Sequence, residues 1–283
     1  MAAHVLTVGD NVVDTYPQRA EFYPGGNTVN VAVHVRRLGG GASYIGAVGT
    51  DHAGQVVLGS LREEGVDTSR TRVVEGPNAY AVVHVVDGNR VFSTGDLGVS
   101  TFDLTPADLD FAGGFDIVHT GECSHLESQL VDLARVARRL SFDFSERDWG
   151  YIELLAPLVD IAIRSAPGVS PETALDQARR LRGLGPRTVA VTLGADGAVV
   201  LDGDDTWTVP APSGSVVDTL GAGDAFIARL LLGLAREEPV ADVVTAATAY
   251  ATETCATFGA FGHPAPLRPS TDPTPTPDRL DAS

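Results

Sequence analysis

Late in the chain the run Asp218-Thr219-Leu220-Gly221-Ala222-Gly223-Asp224 leads straight into the apolar stretch Ala225-Phe226-Ile227-Ala228. Gly221 and Gly223 allow a tight turn, so that several backbone N–H groups converge where a helix begins, a place that favours an anion. A phosphoryl group in transfer asks for such a cradle, because its negative charge spreads over equatorial oxygens and is stabilised by preorganised donors. Asp224 falls in the first turn, where the helix dipole and nearby N–H groups favour the carboxylate form. It is placed to accept the proton of an attacking hydroxyl. Taken alone, a G-x-G-D run is more often a loop whose Asp caps a helix, so the reading needs a second motif.

That motif is Tyr23-Pro24-Gly25-Gly26-Asn27-Thr28-Val29-Asn30, preceded by Gly9-Asp10-Asn11-Val12-Val13-Asp14. Ligands of parallel sheets bind beyond the carboxyl ends of the strands, so Asn11 and Asp14, just after a strand-like start, are expected to turn their polar atoms to a substrate. Amides and carboxylates suit a polyol, donating to and accepting from neighbouring hydroxyls. His119-Thr120-Gly121-Glu122-Cys123-Ser124-His125 holds four possible zinc ligands. Structural zinc recruits two separated pairs and no second pair exists here, so the segment reads instead as a loop on the same crevice, with His119 or His125 facing substrate. Asp96 is a candidate for meeting a charged amine, and Arg90 for reaching the ligand.

The elements that must position these residues read as alternating strands and helices. His4 to Val8 is a buried strand, Thr28 to Leu38 a helix with Asn27 as its N-cap, Ala42 to Val48 a strand, and Gln55 to Glu64 a helix closed by Gly65. Thr71 to Val74, Ala79 to Val86 and Arg90 to Ser93 are short β-prone runs, the last two joined by Asp87-Gly88-Asn89, a hairpin signal. They suggest a lid inserted at about residues 71–100. After Pro106 the alternation resumes through FDIVHT, LSFDF, VDIAIRS and TVAVTLG, with helices around 126–140 and 171–181. A hairpin at 198–209 and helices at 224–234 and about 240–257 follow. Interleaving of this kind implies right-handed crossovers and a mainly parallel sheet covered on both faces, an α/β fold. The tail at 263–283, rich in Pro, Ser, Thr and Asp, is expected to be disordered, leaving a domain over residues 1–262.

Composition narrows the partners. The 283 residues carry a formal net charge of −17 and all twenty basic residues are Arg. Clustered cations for a nucleic-acid backbone are not apparent, and the lack of Lys removes Schiff-base chemistry and a P-loop lysine. Two cysteines, no signal segment and apolar runs well short of the ~18 residues of a membrane span point to the cytoplasm.

The Gly-Gly-Asn near the start paired with D-T-x-G-A-G-D late in the chain resembles the two signatures of the ribokinase-like (PfkB) carbohydrate kinases, from Ala3 to about Gly262. Within them, GDNVVDTYP, GGNTVNVAV, VTLGADG and DTLGAGDAF are most similar to the fructoselysine 6-kinases. The resemblance implies a ribokinase-like three-layer fold with a small β lid, and ATP-dependent phosphorylation of a ketoamine such as fructoselysine at its 6-hydroxyl. It implies a sugar site lined by Asp14, Gly25, Gly26, Asn27 and Asn30, Asp224 as base, and an anion hole from the backbone of Gly221, Ala222 and Gly223. Ser165, Thr192, Gly194 and Gly197 fall to the nucleotide site with Gly223, and Asp218 and Thr219 to a monovalent cation such as K⁺. Mg²⁺ is expected with ATP, yet the N-x-x-E motif of many members is here Ser165-Ala166-Pro167-Gly168; Glu172 is the nearest carboxylate that could act through water. A homodimer through the lid is also expected. Other readings are a kinase for fructose, ribose, a keto-acid sugar or a nucleoside, and a silent sugar or nucleotide sensor. A dinucleotide-dependent dehydrogenase would need an N-terminal G-x-G-x-x-G, which is missing.

Overall fold

The computed structural model describes residues 3–86 and 89–268, with the side chains of residues 85, 86 and 89–92 excepted. The turn residues 87 and 88, the Arg90 side chain and the tail from 269 therefore lie outside what is described. In chain order the first elements are β1 (His4–Val8), β2 (Val12–Tyr16), β3 (Glu21–Gly25), α1 (Asn27–Arg37), β4 (Gly41–Ile45), β5 (Ala47–Gly49) and α2 (His52–Glu63). Next come β6 (Arg72–Val74), β7 (Tyr80–Val86), β8 (Asn89–Asp96), α3 (Pro106–Ala112), β9 (Ile117–Gly121), α4 (Leu130–Val136), β10 (Leu140–Asp143) and α5 (Trp149–Leu155). The remainder are β11 (Ile161–Ser165), α6 (Pro171–Arg182), β12 (Thr188–Thr192), β13 (Ala198–Asp202), β14 (Asp205–Val209), α7 (Ala222–Ala235), α8 (Val240–Thr254) and β15 (Ala265–Pro266).

Eight strands form the main sheet in the order β14-β13-β12-β11-β10-β9-β1-β4. Pairing is parallel from β4 to β12 and antiparallel for β13 and β14, the hairpin expected from Asp202-Gly203-Asp204. Two apolar clusters sit on its opposite faces. One gathers Val29, Val31, Val33 and Val35 of α1 with Phe226, Leu230 and Leu231 of α7 and Val244 of α8; the other gathers Leu130, Leu133, Ile152, Ala174 and Leu181 from α4, α5 and α6. Helices on both faces of a mainly parallel sheet make three layers. The valines of α1 are fully buried, and that burial outweighs the mild reluctance of β-branched residues to be helical.

From β1 the chain goes to β4 on one side and later returns to β9 on the other. Strand order reverses at β1, which opens a crevice at its carboxyl end. A second sheet, in the order β15-β3-β2-β7-β8, stands over that crevice. The sequence reading missed part of this lid. Val12–Tyr16 and Glu21–Gly25 are strands of it, whereas Arg72–Val74 is not: β6 pairs parallel with β5 in a sheet of two strands. The start of the tail is also ordered, correcting the boundary at 262. Ala265 pairs with Phe22, Leu267 N–H donates to Ala20 O (3.0 Å), and His263 Nε2 lies 2.7 Å from Glu64 Oε1. Among the described residues no helix is long and apolar enough to cross a membrane.

Candidate active site

Three loops meet at the crevice: the β1–β2 turn with Asp10, the start of α1 with Asn27 and Asn30, and the start of α7 with Asp224. Helix α7 begins after Gly221, whose φ of 74° is left-handed; a Cβ there would lie 2.5 Å from the Ala260 Cβ. Only glycine meets both demands without strain. The first N–H groups of α7 have no acceptor within the helix, and Gly223 is exposed with open space where a Cβ would stand. Of the three residues expected to form a cradle, Ala222 N–H donates to Thr219 O (3.3 Å), and Gly223 stands open at the helix start.

Asp224 is held from α1. Its Oδ1 accepts from Asn27 Nδ2 (2.8 Å) and its Oδ2 from Asn30 Nδ2 (2.7 Å). Burial pushes its carboxyl up to about 7, the two amide hydrogen bonds pull it back, and the charge of Asp10 adds to the rise. Such a value lies near neutral pH, where a general base is most effective.

The sequence expectation that Asn27 caps α1 is corrected. Gly26 is the N-cap, with no side-chain capping bond. Asp10 caps from another element, accepting from Asn27 N–H (2.7 Å), Thr28 N–H (3.3 Å), Thr28 Oγ1–H (3.2 Å) and Ser124 Oγ–H (3.1 Å). Burial raises the Asp10 carboxyl and these donors oppose the rise. With the helix end satisfied by Asp10, the Asn27 amide is released to bridge Asp224 and Asp143, donating to Asp143 Oδ2 at 3.0 Å. Burial, with the charges of Asp224, Glu122 and Asp10, pushes Asp143 up to about 7 against the Ser145 N–H. Asp143 was invisible in sequence, where it sat inside an ordinary strand.

A cavity of about 420 Å³ opens beside Asp224, lined among others by Asp10, Asp14, Gly26, Asn27, Asn30, Asp96 and Cys123. Four of its lining residues are Asp, and among the described residues no Arg or His lines it. Gly25 gives Asp14 its room, since a Cβ there would stand 2.4 Å from Asp14 Oδ2. Asn30 Oδ1 is buried without a hydrogen-bond partner, an acceptor left for a ligand hydroxyl. Asp96 and Leu97, from the end of the lid, complete one wall.

Other expected contacts are placed differently. Asn11 lines the cavity but spends its amide inside the protein, donating to Ala47 O (2.6 Å) and Tyr44 Oη (3.1 Å) and accepting from Ser100 Oγ (3.2 Å). These bonds tie the start of β2 to β4 and β5. His125 is exposed and outside the lining. His119 is fully buried behind Asn27, with Nε2 3.1 Å from Asn27 Oδ1 and Nδ1 3.0 Å from Ser141 Oγ, so it cannot touch substrate. Asp218 is buried and accepts from Tyr16 Oη–H (3.1 Å), Gly259 N–H (3.0 Å) and Leu220 N–H (3.1 Å), anchoring the loop that leads to α7; Thr219 is exposed beside it. Ser165 and Thr192 are partners at the ends of β11 and β12, next to Gly194. Gly197 serves packing, because a Cβ there would meet Val209 O at 2.0 Å. Glu172 is exposed in the first turn of α6.

Residues 3–266 match the pfkB family carbohydrate kinase model, and the chain belongs to that family. It is therefore a phosphotransferase with an alcohol acceptor, of a family whose kinases use ATP. It is 37% identical over 270 residues to the fructosamine kinase FrlD of Bacillus subtilis, covering 93% of this chain and 95% of that one. It is 35% identical to the fructoselysine 6-kinase of Escherichia coli, covering 91% and 99%. Among solved structures it resembles the aminoimidazole riboside kinase of Salmonella enterica, complexed with aminoimidazole riboside and an ATP analogue, with a TM-score of 0.73, 26% identity and coverage of 91% and 95%. Arabidopsis thaliana ribokinase shares the fold at a TM-score of 0.80 and 20% identity, covering 92% and 95%.

Proposed function

We propose that the protein phosphorylates the 6-hydroxyl of a ketoamine, fructoselysine or a close relative, with ATP as donor and Asp224 as base. The observation that carries the substrate class is the charge of the cavity. Asp10, Asp14, Asp96 and Asp224 line it with no cationic side chain among the described residues, which suits a secondary ammonium and opposes a sugar acid. The similarity to a fructosamine kinase and to fructoselysine 6-kinases supports the same reading. Asn30 Oδ1, buried and unpartnered, is the acceptor offered to a sugar hydroxyl.

In the reaction Asp224 takes the proton of the sugar hydroxyl as its oxygen bonds to the γ-phosphorus and the bond to the β-phosphate oxygen breaks, releasing ADP. The N–H groups at the start of α7 face the charge that develops on the transferring group. Mg²⁺ would supply charge neutralisation of the triphosphate; with Ser165 and Gly168 standing where the family resemblance places Asn and Glu, it would be held chiefly by the phosphates and water. The Asp218–Thr219 loop would hold a monovalent cation, although the Asp218 carboxylate already accepts three hydrogen bonds. We place the enzyme in the cytoplasm with its ATP, as a homodimer through the lid, whose edge strand β8 needs cover.

An ADP-release assay over fructoselysine, fructose, ribose and adenosine tests the proposal, with Asp224→Asn as control. Fructoselysine should show the highest kcat/KM and Asp224→Asn should lose activity by orders of magnitude. Faster turnover of fructose or ribose would overturn the substrate class, and a near-normal Asp224→Asn the mechanism.

A further inference from the structure

The amide of Asn27 is committed on every side. Both hydrogens of Nδ2 go to carboxylates, Asp143 and Asp224, at 3.0 and 2.8 Å. This fixes which way the amide faces, so Oδ1 is the atom directed at His119 Nε2, 3.1 Å away. An oxygen acceptor there requires a hydrogen on Nε2. His119 is fully buried and burial holds its pKa down at about 3; it is neutral, so Nδ1 carries a lone pair and accepts the Ser141 hydroxyl hydrogen at 3.0 Å. The Asn27 oxygen thereby selects the histidine tautomer, and Ser141, itself fully buried on β10, satisfies the other ring nitrogen.

We propose that His119 is a positioning residue for the transfer reaction: from Ser141 through its own ring it anchors the Asn27 amide, and through that amide it sets the orientation of the Asp224 carboxylate. The proposal rests on the reading of Asp224 as the base. It assigns a use to a histidine that the cavity never meets. Asn27 lines the cavity, and of its amide only Oδ1 is tied from the buried side, by His119. If that tie is lost, Asn27 Oδ1 becomes a buried acceptor without a partner and the side chain gains freedom to swing. Asp224 then loses constancy in one of its two hydrogen bonds, and only Asn30 still holds it from α1.

The consequence is read in kcat and in the pH at which activity is gained. The charges around Asp224 are Asp10 after β1, which raises it directly, and Asp143 at the end of β10, which in turn feels Asp224, Asp10 and the Arg147-paired Glu122 after β9; the Cys123 thiol in the same cavity is raised by burial and by Asp10. None of these is altered by changing His119. A weaker Asn27 bond leaves the Asp224 anion less stabilised, so its pKa rises and the acid limb of kcat/KM moves to higher pH. A residue that merely filled space would leave that limb in place.

His119→Met removes the donor at similar volume, and kcat is expected to fall about ten-fold to a hundred-fold with the KM for ATP unchanged and the acid limb shifted upward. His119→Gln, whose amide nitrogen can stand near the Nε2 position, should recover most of the loss. Ser141→Ala, a smaller change that keeps the test in hand should His119→Met fail to fold, should lower kcat in the same direction and shift the limb the same way. Unchanged kcat and limb in His119→Met or in Ser141→Ala overturn the proposal, as does an equal loss in His119→Met and His119→Gln. Asp224→Asn is measured alongside: if it is near-normal the base itself is misassigned, whereas an inactive Asp224→Asn with a normal His119→Met refutes the positioning role alone.

Discussion

Replacing Asn30 with leucine removes the 2.7 Å hydrogen bond to Asp224 Oδ2 while keeping the heavy-atom count and branching of a side chain whose residue is 3% exposed. A hydrogen bond to a charged group is worth about 1.5–3 kcal/mol, and each pKa unit corresponds to about 1.4 kcal/mol. Because the lost bond favours the carboxylate, the Asp224 pKa should climb by about one to two units from its value of about 7. The sign is fixed: Asp224 must be ionised to accept a proton, so activity is lost as pH falls through its pKa, and a higher pKa moves that loss upward. In kcat/KM, which reports the free enzyme, the acid limb should pass from near pH 7 to about pH 8–9. At pH 7 the ionised fraction would drop from about one half to between about a tenth and a hundredth. The Asn30→Leu change also deletes Oδ1, the buried acceptor offered to the sugar, so the height of the profile falls as well; the position of the limb is the diagnostic quantity. The assay is ADP release at low ketoamine concentration from pH 5.5 to 9.5. An acid limb that stays within a few tenths of a unit of the unsubstituted enzyme would refute the account of Asp224, since either the bond or the base would then be misassigned.

Gly25→Ala should place a methyl carbon 2.4 Å from Asp14 Oδ2 and push that carboxylate out of place, raising the ketoamine KM about ten-fold or more with the ATP KM unchanged; an equal change in both would show that Asp14 does not serve the sugar alone. Tyr16→Phe deletes the hydroxyl that donates to Asp218 Oδ2 and should cost about 1–2 kcal/mol, a fall in Tm of about 2–4 °C at this size. Thermal unfolding at fixed concentration checks it, and an unchanged Tm would mean that the Tyr16 hydroxyl does not carry the anchor.

The chain on its own determined the α/β alternation, the position of both helix starts and the residue types gathered there. These depend on local chemistry: valine and leucine spacing, the glycines of Gly25-Gly26 and Gly221-Ala222-Gly223, and the Asp that opens α7. Family resemblance then supplied the reaction. What only the tertiary structure decided are matters of long-range geometry. A helix that looks self-capped by Asn27 is capped by Asp10, seventeen residues earlier, because β1 ends where α1 begins. Val12–Tyr16, short and partly polar, became a lid strand through pairing with β3 and β7. Asn11, polar and next to a strand end, turned inward because the oxygens of Ala47 and Tyr44 wait there. Asp143, within an unremarkable strand, came up beside Asp224 through the order of the sheet. His119 and His125, six positions apart and equal in a sequence reading, were separated by burial. One stands behind Asn27 and the other in solvent. Residue type and spacing specify which groups a segment carries; which of them meet is settled by pairing and packing between parts of the chain that no local pattern connects.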